Sequence, residues 1–386
     1  MKLKFLPLLL IFSLINSCIE LEISAPSFPA IMKALQVSEH QVGLTITYNL
    51  IGFCLAAVIY GPLSEVYGRR RIMLIGNAIL TVGAVACVIA PSIGWLLAAR
   101  FVQGFGAATS AVVVSTIVAD LYPADKAARL YGVMNAMFTS LMAIAPVVGG
   151  LINAMLGWRG TYGVVAVICM IAWILLYFFL PETKTSPTKL KLNQIFADYG
   201  TLFSSTLFFK AAAVPSLLYG CYMAFVAMAP FIYWQAFALP SLDYTLHQGS
   251  IVAVFALTSA LAGQLITIVN TKKLLHFAVW IAASGSIIML YAQTSIILTL
   301  AMSLFNIGFA LIYPLIFARS LTIFPDLTGT ASSAIMALRY LLCSVVTALA
   351  SLLYNGQPER LGVVIVGVII IVIALVHDLA NRLVKD

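Results

Sequence analysis

The chain has 386 residues, of which 62% are hydrophobic and 9% charged, with a mean hydropathy of +1.07 and a formal net charge of +8. Soluble domains carry about a quarter charged residues, so these figures exclude a soluble globular protein and leave an integral membrane protein. Its apolar runs of about twenty residues suit helices rather than alternating barrel strands, and hydrocarbon offers the backbone no partner outside a helix, so the expected class is all-α.

In chain order, twelve spans are expected near 5–32, 41–63, 72–91, 95–119, 130–155, 160–180, 207–234, 249–270, 276–292, 296–318, 330–354 and 361–377. The opening "MKLKFLPLLLIFSLINSC" has the form of a lipoprotein signal peptide. Asn16 suits such a cleavage site poorly, however, and the rest of the chain is as apolar, so it reads as the first membrane helix. The only long polar break is "PETKTSPTKLKLNQIFADYGTLFSS". It divides the chain into a six-helix half over 1–181, a linker over 182–206 and a second six-helix half over 207–386. Within the linker Leu192, Ile195, Phe196, Tyr199, Leu202 and Phe203 repeat at helical spacing. A short helix lying on the membrane surface and a disordered tether are both open readings.

Cytoplasmic loops collect Lys and Arg. With the amino terminus inside, sixteen of the 21 basic residues fall on the inner side, and only Lys33, Arg159 and Arg360 fall outside. Both termini are therefore expected in the cytoplasm, and the positive charge needs no nucleic-acid partner. The six cysteines lie singly in different spans without metal-ligand spacing, and the four histidines include no zinc-binding pair on a helix. No enzyme motif, metal site or cofactor site is expected. His247 beside Asp243 reads either as a pH-sensitive pair or as part of a solvated loop.

The remaining basic residues, Arg100 and Arg339, lie inside spans, as do Glu20 and Glu22. Intramembrane charges are rare and usually serve an ion, proton or substrate. At about 1.5 Å per residue, Glu22 lies about 25 Å up a hydrocarbon core about 30 Å thick, and Arg100 descends to a similar depth in the fourth span. A Glu22–Arg100 pair would then lower the cost of both charges, either as a permanent clasp or as a proton switch. Burial disfavours a carboxylate and a nearby arginine favours it, so the balance changes whenever helices move. Glu20 lies about 200° around the helix from Glu22 and points elsewhere. Pro26 and Pro29 should kink the helix beside Glu22, which is favoured as the proton carrier with Glu20 second. Arg339, near the midplane of the eleventh span, is open to three readings: substrate contact, a salt bridge with Glu20, or snorkelling to the cytoplasmic edge.

The segment "GPLSEVYGRRRIML" resembles the signature loop of the major facilitator superfamily, with Gly61, Leu63, Gly68, Arg69 and Arg70 at motif positions. Glu65 stands where that family usually has aspartate. "RFVQGFGAA" is similar to the family's fourth-helix motif, whose arginine is associated with proton coupling, and "APVVGG" resembles its antiporter motif through Pro146, Gly149 and Gly150. "EISAPSFP", "FVAMAPFIYW" and "PDLTGTASS" resemble the bicyclomycin- and chloramphenicol-resistance branch of drug:proton antiporters.

The resemblance implies two six-helix halves, helices 3, 6, 9 and 12 facing lipid, and a monomer. It also implies alternating-access exchange of protons for a small molecule across an inner membrane. Tyr48, Tyr222, Phe225, Tyr233 and Trp234, with Asn306 and Arg339, are candidate substrate contacts. An exporter of an anionic metabolite or siderophore, an importer of the same fold and a non-transporting receptor or assembly subunit are the alternatives.

Overall fold

In the computed structural model the described residues are 2–122, 124–184, 192–324 and 327–382, and they are helical almost throughout. The helices are α1 (Lys2–Glu22), α2 (Phe28–Leu35), α3 (Glu39–Tyr67), α4 (Arg69–Val88), α5 (Ile93–Leu121), α6 (Ala124–Phe179), α7 (Leu192–Ser204), α8 (Thr206–Gln235), α9 (Ser241–Ile268), α10 (Thr271–Met289), α11 (Ser295–Thr322), α12 (Thr328–Leu353) and α13 (Pro358–Arg382). A 3-10 turn at Ala25–Ser27 joins α1 to α2, which together make the first span. Helix α6 contains the fifth and sixth spans, joined at Gly157, whose φ of 70° and ψ of 179° break the helical backbone. With α7 set apart as the linker helix, the described residues provide the expected twelve spans.

Short polar side chains start several spans by satisfying amide groups that have no intrahelical partner. Ser92 accepts from the Trp95 amide, Ser205 from that of Phe208, Asn270 from those of Lys272 and Lys273, and Thr294 from that of Ile297.

The chain forms two compact units. The first comprises Met1–Val37 and Thr45–Ala197, the second Ser38–Leu44 and Asp198–Asp386. The short segment Ser38–Leu44, at the start of α3, groups with the second unit, where His40 Nδ1 lies 3.1 Å from Ser351 Oγ. The two units meet within α7, after Ala197. Leu202 is buried with Phe208, Ala331, Ala334, Ile335 and Leu338, and Tyr199 packs against the same cluster, while Phe196 is 72% exposed. The carboxy-terminal part of α7 thus docks on the second unit's own core. Residues 185–191 of the linker lie outside the described residues.

Large apolar side chains face outwards on α4 (Ile75, Val82), on α6 after Gly157 (Val167, Phe178), on α10 (Phe277, Trp280) and on α13 (Ile370, Ile371). These are the third, sixth, ninth and twelfth spans. Helices α9 and α12 also expose leucines at Leu257, Leu261 and Leu352, so outward apolar surface is not confined to those four spans. Helix α8 differs from all of them, being buried from Ala211 to Tyr233 at nearly every position.

Candidate functional site

The first span is broken beside its carboxylates. Proline has no amide hydrogen to continue a helical ladder, and Pro26 and Pro29 fall in the 3-10 turn and at the start of α2. The carbonyls around the break find other donors: Ser24 Oγ donates to Leu21 O at 3.1 Å and the Ser27 amide to Ser24 O at 3.0 Å. Gly149 of α6 backs directly onto this segment, since a Cβ there would lie 2.1 Å from the Ile23 carbonyl oxygen. Pro146 and Gly150 are buried in the same part of α6. Farther along, Ser27 Oγ and Thr161 Oγ1 are 3.0 Å apart.

Arg100 pairs with Glu20, whereas depth alone points to Glu22. Its Nη1 donates to Glu20 Oε2 at 2.5 Å, to Gln103 Oε1 at 2.8 Å and to the Glu20 carbonyl at 3.3 Å. Asn49 Nδ2 of α3 donates to both Glu20 oxygens, at 2.9 and 3.1 Å. Glu20, Asn49, Arg100 and Gln103 are all fully buried. The Tyr162 ring lies 5.9 Å from the Arg100 guanidinium carbon, and Cys87 Sγ is 3.6 Å from Gln103 Oε1.

Depth along α1 leaves its rotation free, and rotation decides which side chain meets Arg100. Ser13, Asn16 and Glu20 share one face of α1 at helical spacing, and that face turns towards α5 and α6. Ser13 Oγ is 2.8 Å from Ser110 Oγ, and Asn16 Oδ1 accepts from Cys169 Sγ at 3.2 Å. Glu22 is buried too, 2% exposed, as the last residue of α1 before the break. Asn49 was missed by sequence reasoning. Its signal was a lone amide inside the apolar run "TITYNLIGF".

Glycines of the fourth-span motif set how close the helices come. A Cβ on Gly104 would lie 2.0 Å from the Asn49 carbonyl oxygen and one on Gly106 would lie 2.2 Å from the Leu80 amide nitrogen. These contacts hold α5 against α3 and α4, and so bring Asn49 to the Glu20–Arg100 pair.

The signature loop forms a separate cluster at the ends of α3 and α4. Gly68 has φ 91°, a left-handed conformation that side chains resist, and a Cβ there would also strike the Glu182 carboxylate. That carboxylate accepts from the amides of Arg69 at 2.9 Å and Arg70 at 3.2 Å, capping α4 at its positive dipole end. Arg70 completes a reciprocal clasp, donating to the Tyr177 and Leu180 carbonyls at the end of α6, each at 2.8 Å. The Arg69 guanidinium reaches Asp120 at 3.1 Å, Ser64 at 2.6 Å and Glu65 at 3.3 Å. Gly61 contributes its carbonyl to Ser64 Oγ at 2.8 Å.

In the second unit Arg339 of α12 is 9% exposed and surrounded by rings. Its guanidinium carbon is 5.1 Å from the Tyr313 ring centroid, 5.5 Å from Phe317 and 6.0 Å from Tyr219. Glu20 is held by Arg100 within the first unit, and Arg339 is buried within the second. Tyr222 accepts from Gln248 Nε2 at 3.2 Å, and Asn306 is fully buried. Phe225 is fully buried inside α8, Tyr233 is bound to Thr299 at 2.6 Å, Trp234 is half-buried, and Tyr48 of the first unit is 39% exposed. His247 lies within α9, not in a solvated loop, with Nδ1 2.8 Å from Thr299 Oγ1 and its ring 5.0 Å from that of Tyr233.

Among curated proteins, the bicyclomycin resistance protein homolog of Haemophilus influenzae is 28% identical over 338 residues, covering 84% of this chain and 83% of that protein. The multidrug resistance protein MdtM of Escherichia coli is 24% identical over 380 residues, covering 95% and 92% of the two chains. Among solved structures, a D-xylose-proton symporter superposes with a TM-score of 0.80 at 15% identity, covering 96% of this chain and 97% of that one, which speaks to fold alone. The profile of the Major Facilitator Superfamily matches residues 10–347, and with the twelve-span fold this makes the protein a member of that superfamily, a multi-pass membrane transporter of small molecules and not an enzyme.

Proposed function

We propose that the protein is a proton-coupled exporter, working by alternating access, in which the buried Glu20–Arg100 pair couples proton movement to helix movement. The observation that carries this reading is the full burial of both charges in spans of a membrane transporter, joined to each other and to Asn49 and Gln103. A charge so placed must be compensated, and separating the partners leaves an uncompensated buried ion. Protonation of Glu20 removes its charge and releases Arg100, which keeps Gln103 and the Tyr162 ring as partners. Loss of the proton draws Arg100 back. Glu22, at the helix break, is the second carboxylate of the site.

Export, rather than import, is supported by the resistance function in the names of the curated relatives and by the packing of Gly149, in the antiporter-like segment, against the broken first span. The distribution of Lys and Arg supports an inner-membrane protein with both termini in the cytoplasm, and a monomer is the working state.

The test is transport in proteoliposomes carrying an internal pH dye, with a panel of lipophilic cations and aromatic carboxylates. Substrate-driven proton flux is expected in the wild type and absent in Glu20→Gln, while Glu22→Gln retains part of it. Full flux in Glu20→Gln would show that the pair is only a clasp between helices.

A further inference from the structure

The second unit holds a buried cation that the Glu20–Arg100 mechanism does not use. Among the described residues no carboxylate lies within salt-bridge distance of Arg339, in contrast to Arg100, which Glu20 neutralises. Tyr313, Phe317 and Tyr219 supply ring quadrupoles that offset part of the cost of burying the charge. Rings do not satisfy the N–H groups along the guanidinium edge. Both Nε and Nη2 of Arg339 are buried without a hydrogen-bond acceptor. Together they form one edge of the planar fork, the edge that matches the two oxygens of a carboxylate.

A second orphan lies on α11, on the face that bears Tyr313. Asn306 precedes Tyr313 by seven residues, two helical turns or about 10 Å. Neither its Oδ1 nor its Nδ2 has a partner, and the residue is fully buried. Buried amides are ordinarily bonded, and one left without partners marks a place where a further polar group is due. Between the two orphans the face of α11 carries Phe309 and Tyr313, whose rings meet edge to face at 5.8 Å.

We propose that α8, α11 and α12 form a binding site for an organic anion with a flat aromatic body, the anionic group meeting the Nε–Nη2 edge of Arg339 and a neutral polar group meeting Asn306. This rests on the transporter reading and names the substrate class for it: aromatic carboxylates and their sulfonate analogues rather than lipophilic cations. The attraction has two parts, a charge-assisted fork at one end and ring contact with Tyr219, Tyr313 and Phe317 along the body.

Binding is measured on the purified, detergent-solubilised protein without a proton gradient, so that the result does not depend on proton coupling. The probes are 1-naphthoate, its neutral amide and the matching naphthylmethylammonium ion, followed by thermal shift and equilibrium dialysis. Naphthoate is expected to bind and stabilise the wild type, while the amide and the ammonium ion do not. Its affinity should fall roughly thirtyfold or more in Arg339→Gln, the loss expected for truncating a buried charge contact. It should also fall in Arg339→Lys, which keeps the charge but loses the fork.

Equal binding of carboxylate and amide by the wild type overturns the proposal without any variant, which matters if Arg339→Gln does not fold. Undiminished naphthoate binding in a folded Arg339→Gln or Arg339→Lys overturns it too, as does failure of naphthoate and 1-naphthalenesulfonate alike to bind. None of these results bears on Glu20. Loss of flux in Glu20→Gln with naphthoate binding intact would separate coupling from recognition.

Discussion

At the residue scale, the two buried arginines solve the same electrostatic problem in different ways. Arg100 is neutralised by a carboxylate that is itself held by Asn49, whereas Arg339 is faced with aromatic rings. Removing one partner of the first pair leaves the other as a bare buried ion, which costs about 3–5 kcal/mol, while removing both costs much less. Arg100→Gln is therefore expected to lower the melting temperature of the purified protein more than the Glu20→Gln/Arg100→Gln double variant does. A double-mutant cycle from thermal denaturation checks this, and simple additivity would argue against a tightly coupled pair. Asn49→Leu removes two hydrogen bonds to Glu20 without changing charge. It is expected to weaken proton-coupled transport and cost about 1–3 kcal/mol of stability, since charged groups make the stronger hydrogen bonds.

At the element scale, backbone contact sets the positions of the helices, and glycine permits that contact. Gly149 touches the carbonyl of Ile23 at the break in the first span, and backbone cannot give way as a flexible side chain can. Gly149→Ala should force α6 from the first span, costing about 1–3 kcal/mol by overpacking and abolishing transport. Gly163, also in α6, has nothing within 4 Å of an added Cβ. Gly163→Ala is expected to retain transport and to be neutral or slightly stabilising, because alanine suits a helix better than glycine. Parallel melting curves and flux assays distinguish the two positions.

The α4–α6 clasp works through helix dipoles. Glu182 caps the amino terminus of α4, and Arg70 binds the carbonyls at the end of α6. Glu182→Ala leaves the Arg69 and Arg70 amides without that acceptor, with an expected cost of about 0.5–2 kcal/mol. The loss should appear as a lower melting temperature, and unchanged stability would mean that water or another group takes over the cap.

At the scale of the whole molecule, the proposed topology has both termini on the cytoplasmic side, a reading supported by the even number of spans and the positive-inside distribution. A fluorescent protein fused after Asp386 is expected to fluoresce and a phosphatase fused there to be inactive. Fusions after Asn355, between α12 and α13, should give the reverse. Matching signals at the two sites would refute the topology.

What the sequence determined by itself is the membrane class, the twelve spans and the kink at Pro26 and Pro29. All three follow from local composition and periodicity, which a chain carries without knowing its neighbours. Gly68 was legible for the same reason, because a turn with positive φ needs a residue without a side chain. Tertiary structure alone decided which glutamate meets Arg100. Depth along a helix can be counted from sequence, but the rotation of one helix against another comes from packing, and here the face bearing Ser13, Asn16 and Glu20 turns towards α5 and α6. The same holds for Asn49 and for the rings around Arg339, which come from separate helices. The docking of α7 was likewise open from its pattern, since an apolar stripe suits a lipid surface and a protein core equally well. Leu202 joins the second unit's core because Phe208, Ala331 and Leu338 offer it a closed apolar site.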